Sequence, residues 1–407
     1  EQIVLGKKPE FLSDSFKSEK VIEIQPVGTN GINIVWEWLF VDHLIQDYDN
    51  TKSNYGNVVM HPELVDFNYN ETGFNHSDWL HMNSIDYNPQ LDQIILSART
   101  LGELYIIDHS TTTAEAASHT GGNQNKGGDI LWRWGNPQVY RQGTATDQKL
   151  FQQHDAKWIT EGYVNENKVT VFNNNSDGTG TFSSIHIIAP TLDATNAYEL
   201  ENDKFSPSDF FWSWSGEILG ETMYQFNKSG VNALENGNIL ICETKKGRLT
   251  EISPNGDIAW IYRNPVGRAI HDQFATDADI FNDNNSMFRG EKYPKTDVAF
   301  IGRDLTPGDI LEDVNSLSES CNSLSVIDFD TENNNLSFNN PVLNNKIIFH
   351  QELENTSISI YNALGKVVFK TNSFSGKQIE LANFSPGIHF IKFVKEGKVS
   401  IEKALIK

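Results

Sequence analysis

Two histidines stand at matching places in a repeated stretch of sequence. One lies in Asp78-Trp79-Leu80-His81-Met82-Asn83-Ser84-Ile85-Asp86 and the other in Gln153-His154-Asp155-Ala156-Lys157-Trp158-Ile159. Each is followed by a turn, an apolar run, a second strand and a closing strand rich in Trp. A neutral imidazole beside an oxyanion can act as nucleophile, general base or hydrogen-bond donor. Arg and Asn supply further donors for sulfonyl, phosphoryl or carboxylate oxygens. A unit that repeats one imidazole at one position suits chemistry on a small anion or a sugar.

The elements that must position these groups read as strands. Gly128-Asp129-Ile130-Leu131-Trp132-Arg133-Trp134-Gly135-Asn136-Pro137 recurs as Gly256-Asp257-Ile258-Ala259-Trp260-Ile261-Tyr262-Arg263-Asn264-Pro265. Looser copies are Ile32–Trp38 and Phe210–Trp214. All alternate at strand period, and their Trp residues read as core. Asn236-Gly237, between alternating apolar residues, signals a hairpin. The repeat is a four-stranded unit, and such units in radial array are propeller blades.

The expected fold is therefore all-β. Residues 1–312 form a β-propeller of four-stranded blades, 313–341 a linker, and 342–407 a small C-terminal β-sandwich. Three units are clear, at about 79–134, 154–214 and 229–262. Val21–Trp38 reads as the last two strands of an earlier blade, and 285–312 as part of a further one. A closed ring usually has about four to eight blades. Either some blades are degenerate or an N-terminal part of the parent protein is missing. Strands at Ser357–Tyr361, Val367–Phe369, Gln378–Leu381 and Ile388–Phe393 make up the last module, which is basic where the rest is acidic.

In a blade, the loop after the second strand sits beside the start of the first. That places His81 and His154 near Arg99, Asn173, Asn174 and Lys245 or Lys246. Long connections carrying Asp42-His43-Leu44 and His61-Pro62-Glu63 reach the same face. The expected catalytic residues are His81 and His154, and the expected substrate-binding residues are Asn83, Arg99, Asn173, His43 and His61. No metal and no cofactor is expected, because His43, His61, His76, His109 and His119 show no paired spacing such as His-Glu-x-x-His. His186, His350 and His389 read as incidental, and Glu243–Arg248 as a solvated loop.

Composition narrows the partners. The 407 residues carry a net charge of -22, which repels nucleic acid and anionic membrane faces. Cys242 and Cys321 form either one disulfide or two separate thiols. No apolar run is long enough to span a membrane. The first residues lack a signal-peptide pattern, so the chain reads as processed or as a fragment.

These motifs resemble the bacterial arylsulfotransferase family. The resemblance rests on the stretches around His81 and His154, Ile107–Thr112, Gly127–Pro137, Asn236-Gly237-Asn238, Trp36-Glu37-Trp38 with Asp42-His43-Leu44, and Gly302-Arg303-Asp304-Leu305-Thr306-Pro307. It covers about residues 30–310. It implies a propeller that moves a sulfuryl group from an aryl sulfate to a phenol, without a nucleotide donor, through a sulfated histidine. It also implies that His81 and His154 bind or polarise the sulfate. No Arg follows Phe172-Asn173-Asn174-Asn175, and Ser229-Gly230 stands where the family's nucleophilic histidine is expected. The nucleophile is then missing or supplied by His154 or His81. The C-terminal module resembles a type IX secretion sorting domain, through Ile360–Val368, Leu381–Phe390 and Lys403–Lys407. It implies contact with the type IX machinery, and a secreted or cell-surface location in a Bacteroidetes-type bacterium. The alternatives are a polysaccharide lyase or other carbohydrate-active propeller, and a non-catalytic propeller that holds a sulfated or otherwise anionic glycan.

Overall fold

Turn chemistry and continuous apolar runs set the strands. Asn88 Oδ1 accepts from the backbone N–H of Gln90 and Leu91, at 3.0 and 3.1 Å, and reverses the chain. Gly237, at φ +83°, closes the Asn-Gly hairpin. The computed structural model describes residues 1–69, 77–264, 266–268, 284–306, 338–362, 365–381, 384–395 and 398–407. Most of the linker expected at 313–341 lies outside them, as do Cys321 and His76.

The chain divides into two units, Glu1–Gly308 and Asp309–Lys407. In the first, β1 (Lys20–Val27) and β2 (Gly31–Leu39) form a two-stranded antiparallel sheet. Three four-stranded antiparallel sheets follow. The first contains β3 (Met82–Asn88), β4 (Gln93–Ala98), β5 (Glu103–Asp108) and β6 (Ile130–Trp134). The second contains β7 (His154–Trp158), β8 (Val169–Asn173), β9 (Ser184–Ile188) and β10 (Trp212–Trp214). The third contains β11 (Gly230–Ala233), β12 (Ile239–Glu243), β13 (Arg248–Ile252) and β14 (Ile258–Arg263). In each sheet the strands lie in chain order. Helix is nearly absent, and no described helix is long and apolar enough to cross a membrane.

The first two sheets are apolar on both faces, and the third packs one apolar face on the second. β4 and β5 are buried at every position, which explains their continuous runs. Ile94, Leu96, Tyr105 and Ile107 pack with Trp36, Trp38 and Phe67. Ile95, Leu104 and Ile106, one residue out of phase, pack with Val169, Val171 and Ile188 of the next sheet. Phe172, Ile185 and Ile187 then pack with Val231, Ile239 and Ile241 of the third. Period-two alternation thus stacks the sheets face to face.

The Trp strands add a repeated hydrogen bond. Nε1 of Trp38 donates to Gly128 O, Trp132 to Ser206 O, Trp134 to Pro207 O and Trp214 to Gly256 O, at 2.7, 2.7, 2.6 and 3.3 Å. Each acceptor lies shortly before the Trp strand of the next sheet. Trp260, in the last copy, is 43% exposed and stacks on Tyr262, so this copy is not core.

Two further expectations are corrected. Residues 284–306 contain one short 3-10 turn and no strand; their side chains instead lace onto the sheets. Glu243 and Arg248 are not solvated. They are buried and joined by two hydrogen bonds, at 2.5 and 3.0 Å, because Glu243 ends β12 directly opposite Arg248 on β13.

The second unit contains β15 (Lys346–Asn362), β16 (Val367–Glu380), β17 (Gly387–Lys395) and β18 (Lys398–Ile406). They form one sheet in the order β16-β15-β17-β18, rather than the two sheets of a sandwich. The short strand expected at 367–369 lies within β16, as does that expected at 378–381 except for Leu381. The register of β16 against β15 shifts at several points, so one long strand carries two separate apolar patterns. Phe349, Ile358, Ile360, Ile391 and Phe393 lead its core.

The Trp hydrogen bonds give a stability test. Trp132→Phe keeps a ring in place but strands the Ser206 carbonyl, so it should cost about 1–3 kcal/mol. Trp260→Phe should cost under about 0.5 kcal/mol. Denaturant unfolding of the two variants measures the difference.

Candidate functional site

The first strands of the three sheets lie side by side, with β7 packed against both β3 and β11. Each of β3 and β7 is irregular just after its histidine. The register of β3 shifts between Met82 and Ser84, and that of β7 shifts opposite Thr170/Phe172, where Asp155 sits at φ +56°. Bulges re-aim side chains, and here they turn them onto the neighbouring strand. Asn83 Nδ2 donates to Gln153 O at 2.7 Å, and Asp155 Oδ2 accepts from Val231 N at 3.0 Å. Gly230 makes room for the second contact, since a Cβ there would lie 2.2 Å from Asp155 Oδ2.

His81 opens β3 in the left-handed region, at φ +50°. Its Nδ1 lies 2.7 Å from Asp78 Oδ2. A carboxylate accepts, so Nδ1 carries the proton and Nε2 keeps its lone pair. The His81 side chain is 44% exposed.

His154 is held differently. Its Nδ1 donates to Asn174 Oδ1 at 2.7 Å and to Gln152 O at 3.0 Å. Its Nε2 accepts from the backbone N–H of Lys228 at 3.2 Å. Asn174 is fixed in turn, because its Nδ2 donates to the Gln225 and Lys228 carbonyls. Burial pushes the His154 imidazolium down to about 4, with the nearby Arg99 charge acting the same way. His154 is a neutral ring with both nitrogens engaged.

A cavity of about 800 Å³ lies between these strands. Its wall includes His81, His154, Asn83 and Arg99, together with Glu19, Lys228, Phe288 and Arg289. Arg99 is half-buried and donates to Gln152 Oε1 at 3.1 Å. Arg289 donates from Nη2 to Asn83 O at 2.5 Å, and its Nη1 lies 3.2 Å from Asp155 Oδ1. Its Nε and the Oδ1 of Asn83 are buried without a hydrogen-bond partner among the described residues. Glu19 accepts weakly from Met82 N through Oε1, at 3.4 Å, and its buried Oε2 has no such partner. Burial raises the Glu19 carboxyl above the ordinary carboxylate value.

The other expected residues do not reach the cavity. Asn173 ends β8 and pins a loop, accepting from Phe151 N and donating to Lys149 O. Its neighbour Asn174 meets His154, since successive residues point to opposite sides. His43 is buried, stacked on Trp38 and bonded to Asp129 and Ala116 O. His61 is half-exposed and lies on Glu63. Sequence reasoning missed Arg289, Lys228, Glu19 and Asp78. Asp78 carried a signal, three residues before His81. Arg289 carried none, because it comes from a segment without periodic pattern.

The pocket is cationic, with Arg99, Lys228 and Arg289 lining it beside His81. Residues 12–258 match the arylsulfotransferase (ASST) family. The chain belongs to the arylsulfotransferase family. The match excludes Gly302–Pro307. Residues 338–407 match the secretion system C-terminal sorting domain, which directs type IX export and surface attachment. No curated protein matches the arylsulfotransferase-family chain. Three solved structures are loosely similar. A protein of unknown function from Bacteroides caccae is 14% identical at a TM-score of 0.27, over 61% of this chain and 58% of its own. Streptogramin B lyase is 9% identical at 0.24, over 79% and 68%. PorZ of Porphyromonas gingivalis, an essential surface component of its type-IX secretion system, is 10% identical at 0.19, over 97% and 59%. The chain thus spans under two thirds of the length of the Bacteroides caccae protein.

His154 makes stability depend on pH. Unfolded, it titrates near 6.5; folded, it titrates at about 4. Between those values the unfolded chain binds a proton that the folded chain does not, so stability falls as pH drops from about 6.5 to about 4. His186, buried and pushed down to about 3, acts in the same direction. Melts across this window should show a shallower pH slope for His154→Gln than for the wild type. An equal slope contradicts the assignment.

Proposed function

We propose that the three sheets are blades of a β-propeller, and that the cavity between their first strands transfers a sulfuryl group from an aryl sulfate to a phenol, with His81 as the nucleophile. One observation carries this reading. The Asp78–His81 hydrogen bond leaves the Nε2 lone pair on a half-exposed ring that lines a pocket containing Arg99 and Arg289. His154 is the poorer nucleophile, because its Nε2 already accepts from Lys228 N.

The donor aryl ring packs on Phe288, which is 56% exposed at the pocket wall. The sulfuryl oxygens take the free donors of Arg99, Arg289 and Lys228. His81 Nε2 attacks sulfur. An N–S bond forms, the S–O bond to the aryl group breaks, and aryloxide leaves. Asp78 stabilises the positive charge that develops on the ring. Glu19, whose carboxyl burial shifts above the ordinary carboxylate value, gives aryloxide its proton. A phenol then enters and loses its proton to Glu19. Its oxygen attacks sulfur, the N–S bond breaks, and His81 is restored. No nucleotide enters the cycle. His154 orients the anion and remains uncharged throughout.

Without acceptor, a chromogenic aryl sulfate should give a burst of about one equivalent of phenol per enzyme. His81→Ala should abolish the burst and lower turnover by about 10³-fold or more. Asp78→Asn and Arg289→Ala should each cost about 10²-fold. Full turnover by His81→Ala would contradict the scheme. An unsaturated, ultraviolet-absorbing product from a polyuronate, with no turnover of aryl sulfates, would favour a lyase.

A further inference from the structure

A second cluster of chemistry-bearing side chains lies outside the cavity. His43, His119 and Asp129 bring two ring nitrogens and one carboxylate oxygen within 4.8 Å of one another. His43 Nδ1 stands 2.9 Å from Asp129 Oδ1, and His119 Nδ1 stands 2.8 Å from the same oxygen. The residues come from three separate places in the chain. His43 ends the short turn Phe40–His43, His119 follows the single helical turn Thr113–Ala116, and Asp129 immediately precedes β6.

With a neutral ring, the hydrogen-bond count at His43 does not close. Its Nε2 lies 2.9 Å from Ala116 O, which only accepts, so Nε2 carries a proton. In a neutral ring Nδ1 then presents a lone pair, and it faces a carboxylate oxygen at 2.9 Å. Two acceptors at that distance require a positive centre at the pair. The ring cannot turn away, because it is 1% exposed and stacked on Trp38, with centroids 5.3 Å apart and planes 4° apart. Trp38 is itself fixed by its Nε1 bond to Gly128 O, one residue before Asp129.

We propose that His43, His119 and Asp129 form a binding site for a divalent transition-metal ion, zinc by preference. Two imidazoles and a carboxylate suit zinc, whose remaining coordination position is left to water. The Nε2–H bond from His43 to a backbone carbonyl is the outer contact that metal-bound histidines usually make. His119, with 60% of its side chain exposed, gives the ion a path in from solvent. The ion ties the end of the β2 turn to the start of β6. Its role is to hold the first sheet against β1 and β2, apart from the chemistry at His81.

The test uses the whole chain, stripped with a chelator and dialysed. Zn²⁺ is titrated against a chromogenic competitor, and melts are run with and without one equivalent. One tight equivalent is expected, with a raised melting temperature. His119→Ala and Asp129→Asn should each bind at least about tenfold more weakly and lose the melting shift. The exposed His119 makes His119→Ala the variant that separates loss of metal from misfolding. Equal affinity in His119→Ala overturns the proposal. So does a wild-type melting temperature that Zn²⁺ leaves unchanged, the result expected if a second proton on His43 meets the need.

Discussion

Buried backbone at the sheet edges is the constraint on which the site depends. β3, β7 and β11 are the first strands of their sheets, and each leaves one row of N–H and C=O groups without a ladder partner. Such edges are a liability in water and costly when buried. Here side chains of the adjacent first strand satisfy N–H groups on β7 and β11. Ser84 Oγ accepts from Ala156 N at 3.0 Å, Asp86 Oδ2 from Trp158 N at 2.8 Å, and Asp155 Oδ2 from Val231 N at 3.0 Å. Carboxylates bind backbone N–H groups strongly, so the strands are held in register with one another. Their starts then lie together, and with them His81 and His154.

The pocket works against the field of the molecule. A net charge of -22 repels a sulfate ester at long range. At short range Arg99, Arg289 and Lys228 act across a partly buried cavity, where each charge counts for more than in water. Asp155 offsets part of the Arg289 charge and holds the guanidinium in place, while Arg289 Nε has no hydrogen-bond partner among the described residues. On the proposed reading, anion binding is therefore local. Salt should weaken it only modestly, since screening acts chiefly on charges farther apart than about 8–10 Å.

Much of this was legible in the sequence, for reasons that also explain the rest. The Trp-x-Trp copies and the Asn-Gly turn repeat locally, so the three sheets and their limits followed from pattern alone. His81, Asn83, Arg99 and His154 lie at fixed offsets from strand ends, and blade geometry was enough to group them. Asn173 was preferred to Asn174 because one residue of strand phase cannot be read from three consecutive asparagines. Arg289 arrives from an irregular segment that is distant in sequence, and no periodicity points to it. Glu243 and Arg248 look like surface charges until β12 and β13 bring them opposite each other. Trp260 matches the buried copies in sequence, but lacks a following Trp strand among the described residues.

The identity of the sulfated residue is the most direct test of the account. Enzyme incubated with an aryl sulfate and no acceptor, then digested under alkaline conditions that preserve N–S bonds, can be mapped by mass spectrometry. The account predicts one sulfuryl group, on the peptide containing His81. A sulfuryl group on His154 or any other histidine, or none on any histidine while phenol is released, would contradict it.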